Sequence, residues 1–298
     1  MSSRPDDPFA SRPWLESEQY VPVEVVSADE ADLQQQRIPP LVIILFLATC
    51  ASTYSVGGLA YAVPMMGILL CHEFGHYIQA RRYHVPASLP YFIPMPISPL
   101  GTMGAVISMR GHLGSRRALF DIGISGPLAG LVPTLICCVI GLSWSTVGEI
   151  PKNLPRGSVL MFGEPLLFKW LEYFYFGPLT DDQTVFVHPL AFAGWVGVFL
   201  TALNLIPIGQ LDGGHVLYAL LRDKAHAVAW FLLTAAFIGI IVAQHYEWTL
   251  MLLLLVMMGP SHPPTANDDM PLGRGRIILG WLTLAFVIIG FTPTPFIQ

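Results

Sequence analysis

The chain has 298 residues, 53% of them hydrophobic and only 12% charged, with a formal net charge of −5. So apolar a composition excludes an ordinary soluble domain and agrees with a membrane protein, and no nucleic-acid partner is expected. A disulfide framework is excluded as well. The four cysteines, Cys50, Cys71, Cys137 and Cys138, lie in apolar stretches without C-x-x-C spacing and read as small buried residues.

Residues 1–38 are polar, rich in Pro, Asp, Glu, Ser and Gln, and contain no apolar core of a signal peptide. A flexible cytoplasmic tail is expected there. After Pro39–Pro40, apolar segments follow at about 40–56, 59–82, 118–144, 189–207, 226–243, 246–259 and 276–293. The sixth is short for a full span and either crosses or pairs with the fifth as a re-entrant hairpin. A single membrane-embedded domain is expected over 39–293, leaving 294–298 as a short end. Let the tail be cytoplasmic and each segment cross once. Of the 15 Lys and Arg, only Lys152, Arg156 and Lys169 then fall outside, as the positive-inside bias requires. That orientation puts 83–117 and 260–275 on the cytoplasmic side and 148–188 opposite. A bacterial inner membrane is the expected location.

The second segment ends in His72-Glu73-Phe74-Gly75-His76. On a helix, H-E-x-x-H sets two imidazoles one turn apart on one face, where both can hold one zinc. The intervening Glu73 then reaches the metal's open position as a base. A pair of core histidines bonded to a neighbouring helix is the plainer alternative. The neighbouring thiol of Cys71 is rotated about 100° from His72 and is not expected to be a ligand. Ionisable groups at membrane depth are functional candidates by default.

Residues 83–117 carry Pro86, Pro90, Pro94, Pro96 and Pro99, which exclude a regular helix. Gly101 to Met109 instead suits a strand preceded by a glycine turn. A strand edge cannot face lipid, so this element is expected at the interface or lining the catalytic cavity. Arg110 and His112 read as interfacial. In the third segment, Gly123-Ile124-Ser125-Gly126-Pro127-Leu128-Ala129-Gly130 offers small residues for close helix packing. The 148–188 loop holds Trp170, Tyr173, Phe174, Tyr175 and Phe176, which suit an interfacial aromatic helix.

The fourth segment leads into Asn204-Leu205-Ile206-Pro207-Ile208-Gly209-Gln210-Leu211-Asp212-Gly213-Gly214-His215. Asp212 is its one carboxylate and an ordinary third ligand for zinc. The alternative is a helix C-terminus with Asp212 facing the interface. Gly213 and Gly214 would allow close backbone approach or a helix break beside the metal. If the helix continued, Asn204 would lie about two turns from Asp212 on a similar face, with Pro207 bending the path. A membrane Asn also simply bonds across helices. His215 reads as lying behind the ligands or at the interface.

Taken together, His72-Glu73-x-x-His76, the Gly123–Gly130 motif and Asn204-x-x-Pro207-x-x-x-Leu211-Asp212-Gly213 resemble the site-2 protease family of intramembrane zinc metalloproteases. The resemblance covers about residues 59–222. It implies an all-α polytopic membrane protein with a three-helix catalytic core, flanking transmembrane helices and a small β-element between the first two core helices. It further implies one Zn2+ per chain on His72, His76 and Asp212, and Glu73 as catalytic base and acid. Asn204 would orient the substrate or stabilise the oxyanion. Gly101, Thr102, Met103, Gly104, Ala105, Val106 and Ile107 resemble the family's substrate-clamping β-element. The implied partners are the lipid bilayer and a single-span membrane-protein substrate, often one already cut by another protease. The 148–188 loop is too short for a PDZ module, so a minimal member is expected. A transporter relaying ions through the His, Glu and Asp residues is the alternative from another class, but it leaves the H-E-x-x-H spacing unexplained.

Overall fold

The structure, a computed structural model, describes residues 38–109, 114–150 and 161–297. Of the expected tail over 1–38, residues 1–37 lie outside the described residues, as do Arg110, His112, Lys152 and Arg156. The described chain is mostly helical, with small antiparallel strand pairs, as a polytopic membrane protein should be.

Helix α1 (Pro40–Arg82) carries the first two apolar segments in one 43-residue run. It bends where Gly57 and Gly58 leave helical dihedrals, Gly58 at φ 63° and ψ −160°, a conformation open to glycine and strained for other residues. Two arms result, 40–56 and 59–82. Both lie along the hairpin of β1 (Tyr91–Met95) and β2 (Gly101–Val106). Phe92 meets Phe46 of the first arm edge-on at 5.3 Å. The Tyr61 hydroxyl of the second arm donates to the Leu100 carbonyl at 2.6 Å. Strand β1 thus touches the first arm along its length, and the hairpin tip at Leu100 and Gly101 touches both arms near the bend.

The hairpin therefore runs back along the two arms of α1 instead of lying wholly beyond their ends. Its tip lies beside the bend, and its base is closed by an Ala87–Met109 bridge beyond the end of α1. The ladder pairs Tyr91 with Val106 and Phe92 with Ala105, then slips before Pro94 pairs with Thr102. Proline has no N–H to give a ladder, which accounts for an irregularity at this point. The outer edge of β2 has no backbone partner among the described residues.

Helix α2 (Arg116–Ser143) is the central helix, started by Ser115, whose side chain accepts the Ala118 N–H. It packs on α1 and on α4 (Pro189–Asn204). The largest buried cluster fills the space between these three, with Trp195 fully buried and stacked on Phe192 and Phe199. The indole N–H of Trp195 donates to the Gly163 carbonyl at 2.9 Å, so its one polar atom is satisfied.

Between α2 and α4 lie β3 (Thr146–Glu149), β4 (Met161–Phe162), α3 (Leu166–Phe176) and β5 (Gln183–Phe186). Strand β3 pairs with β5, and β4 with β6 (Phe296–Ile297) at the far end of the chain. Helix α3 is the aromatic helix expected here. It exposes Trp170, Tyr173 and Phe174 and buries Phe168 and Glu172. Burial, reinforced by Glu164, raises the Glu172 carboxyl to about 8. An unfolded Glu ionises near 4.3, so the unfolded chain loses this proton first. Stability from this group is therefore full at acid pH and falls as pH rises toward about 8. Glu172→Gln is expected to flatten the decline of melting temperature between pH 5 and 8 in detergent. An unchanged slope would show that Glu172 titrates normally.

Beyond α4 come α5 (Asp212–Leu221), α6 (Lys224–Ala243), α7 (Thr249–Met258) and α8 (Arg274–Gly290). Helices α1, α2 and α6 are long and apolar enough to cross a membrane, while α4 and residues Tyr246–Met258 are shorter apolar helices. Helix α7 has 10 residues, a rise of about 15 Å against a hydrocarbon core of about 30 Å. Just past it, the Pro260 carbonyl accepts the Gly209 N–H at 3.2 Å. The sixth segment thus returns as a short helix whose end rests on the loop before Asp212. On α8, Arg276 grips both Asp121 carboxylate oxygens at 2.7 Å, and the Tyr83 hydroxyl donates to the same carboxylate. That pair ties α8 to α2 and to the end of the H-E-x-x-H helix.

Candidate metal centre

His72 and His76 sit one turn apart on the second arm of α1, 5% and 4% exposed, with Glu73 between them at 4%. The Nδ1–H of His76 donates to the Ile122 carbonyl at 2.7 Å, which leaves the Nε2 lone pair for a cation. His72 Nε2 lies 3.2 Å from His76 Nε2. Asp212 completes the group, its Oδ2 3.1 Å from His72 Nε2 and its Oδ1 3.2 Å from His76 Nε2. Among the described residues, these three are the group of His, Cys, Asp or Glu whose ligand atoms converge within 4.8 Å.

Does zinc fit? Nitrogen and oxygen ligands at 2.0–2.1 Å in a tetrahedron stand about 3.3 Å apart. The two imidazole nitrogens stand 3.2 Å apart, and Asp212 turns one oxygen to each of them at 3.1 and 3.2 Å, close to this spacing. Two imidazoles and a carboxylate are also the ligand chemistry zinc takes. The set can hold the metal. Cys71, exposed and outside the cluster, stays uninvolved.

Asp212 reaches the histidines by a different path from the expected one. Helix α4 stops at Asn204, residues 205–211 form a turn with Gly209 at φ 60°, and Asp212 is the first residue of α5. Asn204 and Asp212 are thus on separate helices, a correction to a continuing helix bent at Pro207. At the start of α5, the helix dipole favours the carboxylate. A Cβ at Gly213 would collide with the Leu205 carbonyl oxygen, so glycine permits this tight reversal. Asn204 still arrives at the centre, its Nδ2 3.4 Å from His72 Nε2.

The small-residue motif of α2 lies against the histidines. A Cβ on Gly126 would come within 2.5 Å of three ring atoms of His76, including the ligand nitrogen. Ser125 donates its hydroxyl to the Gly75 carbonyl at 3.0 Å, fastening α2 to the H-E-x-x-H helix.

Of the expected clamp, Gly101 and Thr102 are buried, and Gly101 lies under Ser52 and Thr53 of the first arm. Those two face inward at the hairpin tip, a correction that leaves Met103, Gly104, Ala105, Val106 and Ile107 on the more open part. Sequence reasoning missed His262, which carried no signal, and Asp121, which did. His215 donates from Nδ1 to His262 Nε2 at 2.7 Å, since His262 Nδ1 is committed to the Pro263 carbonyl at 2.6 Å. His262 comes from a proline-rich connection without periodicity. Asp121, a carboxylate in an apolar segment, was open to the same depth rule that marks Asp212.

The chain matches the profile of Peptidase family M50 over residues 60–243. It belongs to that family, the site-2 proteases. The Arabidopsis thaliana protein named probable zinc metalloprotease EGY1, chloroplastic, is 32% identical over 79% of this chain and 42% of its own length. EGY1 of Oryza sativa subsp. japonica is 30% identical over 79% of this chain and 40% of its own. Arabidopsis EGY2, also named a probable zinc metalloprotease, is 26% identical over 80% and 42%. The chain thus spans about two-fifths of the length of these relatives. No solved structure shows a significant match. The M50 span contains His72, Glu73, His76, Asn204 and Asp212, whereas His262 and Arg276 lie beyond it.

Proposed function

We propose that this chain is an intramembrane zinc metalloendopeptidase that hydrolyses peptide bonds within or near the transmembrane segments of membrane proteins. The observation that carries this reading is the convergence of His72, His76 and Asp212, from two apolar regions, beside the buried Glu73. The substrate we propose is a single-span membrane protein, including one already trimmed by another protease, and the cofactor is one zinc per chain.

The residues divide the work. Zinc held by the three ligands would supply Lewis acidity toward a water and the scissile carbonyl. Glu73 takes the proton of the attacking water and hands it to the leaving amine. The Asn204 amide donates a hydrogen bond to the substrate carbonyl oxygen as charge builds there. A helical substrate keeps its carbonyls engaged and shielded, so it must unwind before attack. The unpaired edge of β2, over Met103 to Ile107, offers main-chain partners to the unwound stretch. Without such partners, each exposed polar group in lipid would cost several kcal/mol.

The location we propose is an integral membrane one. A bacterial inner membrane gains no support from relatives whose names read chloroplastic. No observation favours a transporter. Purified chain in detergent should cut a single-span test substrate, lose the activity to a zinc chelator and regain it on adding zinc. Cleavage that survives complete removal of zinc contradicts the metalloprotease.

A further inference from the structure

A pocket of about 240 Å³ opens between the end of β2, α2 and the start of α5, walled by Val85, Val106, Met109, Leu119, Ile122 and Met258. We propose that it is a side-chain subsite, which takes one apolar substrate residue of Leu or Met size next to the scissile bond and sets sequence preference. The proposal rests on the protease reading and names what that site recognises.

Position is the first support. The pocket is built from the pieces that hold the ligands. Ile122 in its wall is the residue whose carbonyl fixes His76. Gln210 and His215, also in the wall, flank Asp212 on either side in sequence. Val106 to Met109 prolong β2, whose outer edge has no backbone partner among the described residues. A substrate strand added to that edge sends alternate side chains to the same face. One of them is then delivered to the pocket while the neighbouring carbonyl stays at the centre.

Size and lining select the occupant. Pockets for whole small-molecule ligands run roughly 300–1,000 Å³, so 240 Å³ suits a side chain or two. The walls named above are all apolar, and burying an unpaired charge against them is strongly unfavourable. Met109 and Met258 are unbranched and adaptable, so they accept Leu, Met or a similar shape. The polar atoms are already committed in part, since His215 donates its Nδ1–H to His262.

The test scans the residues around the scissile bond of a single-span substrate with Ala, Leu, Met, Phe and Asp, using the full chain. At one position, Leu and Met should exceed Ala and Asp in kcat/KM by about 10- to 100-fold, the range expected for burying such a side chain. Ser108→Phe, which fills the pocket from the strand side, should shift preference at that position toward Ala. Met258→Ala, which enlarges it, should admit Phe. A variant that merely damaged folding would lower all substrates alike. Folded, zinc-loaded variants whose preference stays that of the wild type, or a wild-type chain without preference at any position, overturn the subsite; a lipid tail in the pocket would give this same unshifted result. Absence of any zinc-dependent cleavage by the wild type overturns the protease reading, and the subsite with it.

Discussion

Gly126→Ala is expected to weaken zinc binding by on the order of 10- to 100-fold or more, the range seen when the support of a metal ligand is lost. Proteolysis should go with it. The added methyl would lie within 2.5 Å of the His76 ring, at its ligand nitrogen as well as at two carbons. The ring has nowhere to retreat. It is 4% exposed, and its Nδ1 is bound to Ile122, one turn earlier on the same helix as Gly126. To admit the methyl, α2 must move off α1 or His76 must leave its position, and either separates the ligands. Gly67→Ala is the control. It lies on the same arm of α1 with nothing within 4 Å of the added Cβ, so zinc content should stay at the wild-type level. Zinc per chain, measured by elemental analysis on monodisperse protein, checks both. Equal zinc in the two variants would show that the glycine cradle does not hold His76.

Glu73→Gln should give the opposite pattern, with zinc retained and catalysis lost. Glu73 is outside the converging ligand group, so its amide analogue removes a base without removing a ligand. Losing a general base lowers the rate by about 10²- to 10⁴-fold. Asp212→Asn should instead weaken zinc binding, because a neutral amide is a poorer ligand than a carboxylate. The contrast separates a residue that acts on the reacting water from one that holds the metal. Zinc loss in Glu73→Gln equal to that in Asp212→Asn would place Glu73 among the ligands.

What was legible in the sequence follows from how far apart the interacting residues lie. His72 and His76 are one helical turn apart, so their shared face is a local matter that spacing alone reveals. Asp212 was legible as a candidate ligand, through composition and resemblance, but not as the first residue of a new helix. The break after Asn204 depends on Gly209 and on the backbone of Leu205 passing against Gly213. An apolar segment carries no mark of that. The hairpin was legible as strand and turn, yet its placement depends on Tyr61 and Phe46 from the two arms of α1. Pairing of Met161 with Ile297, and of Asp121 with Arg276, joins residues more than a hundred positions apart. No local pattern encodes such partners. The role of Gly126 lay between these cases: small residues announced close packing, while only the structure shows that the ring of His76 is what they admit.

The most direct test of the metal assignment is zinc per chain in wild type and in the His72→Ala/His76→Ala double variant, purified identically and checked for folding. About one zinc in the wild type and almost none in the double variant is expected, since removing both imidazoles leaves Asp212 as a single ligand. Full occupancy in the double variant would contradict the site.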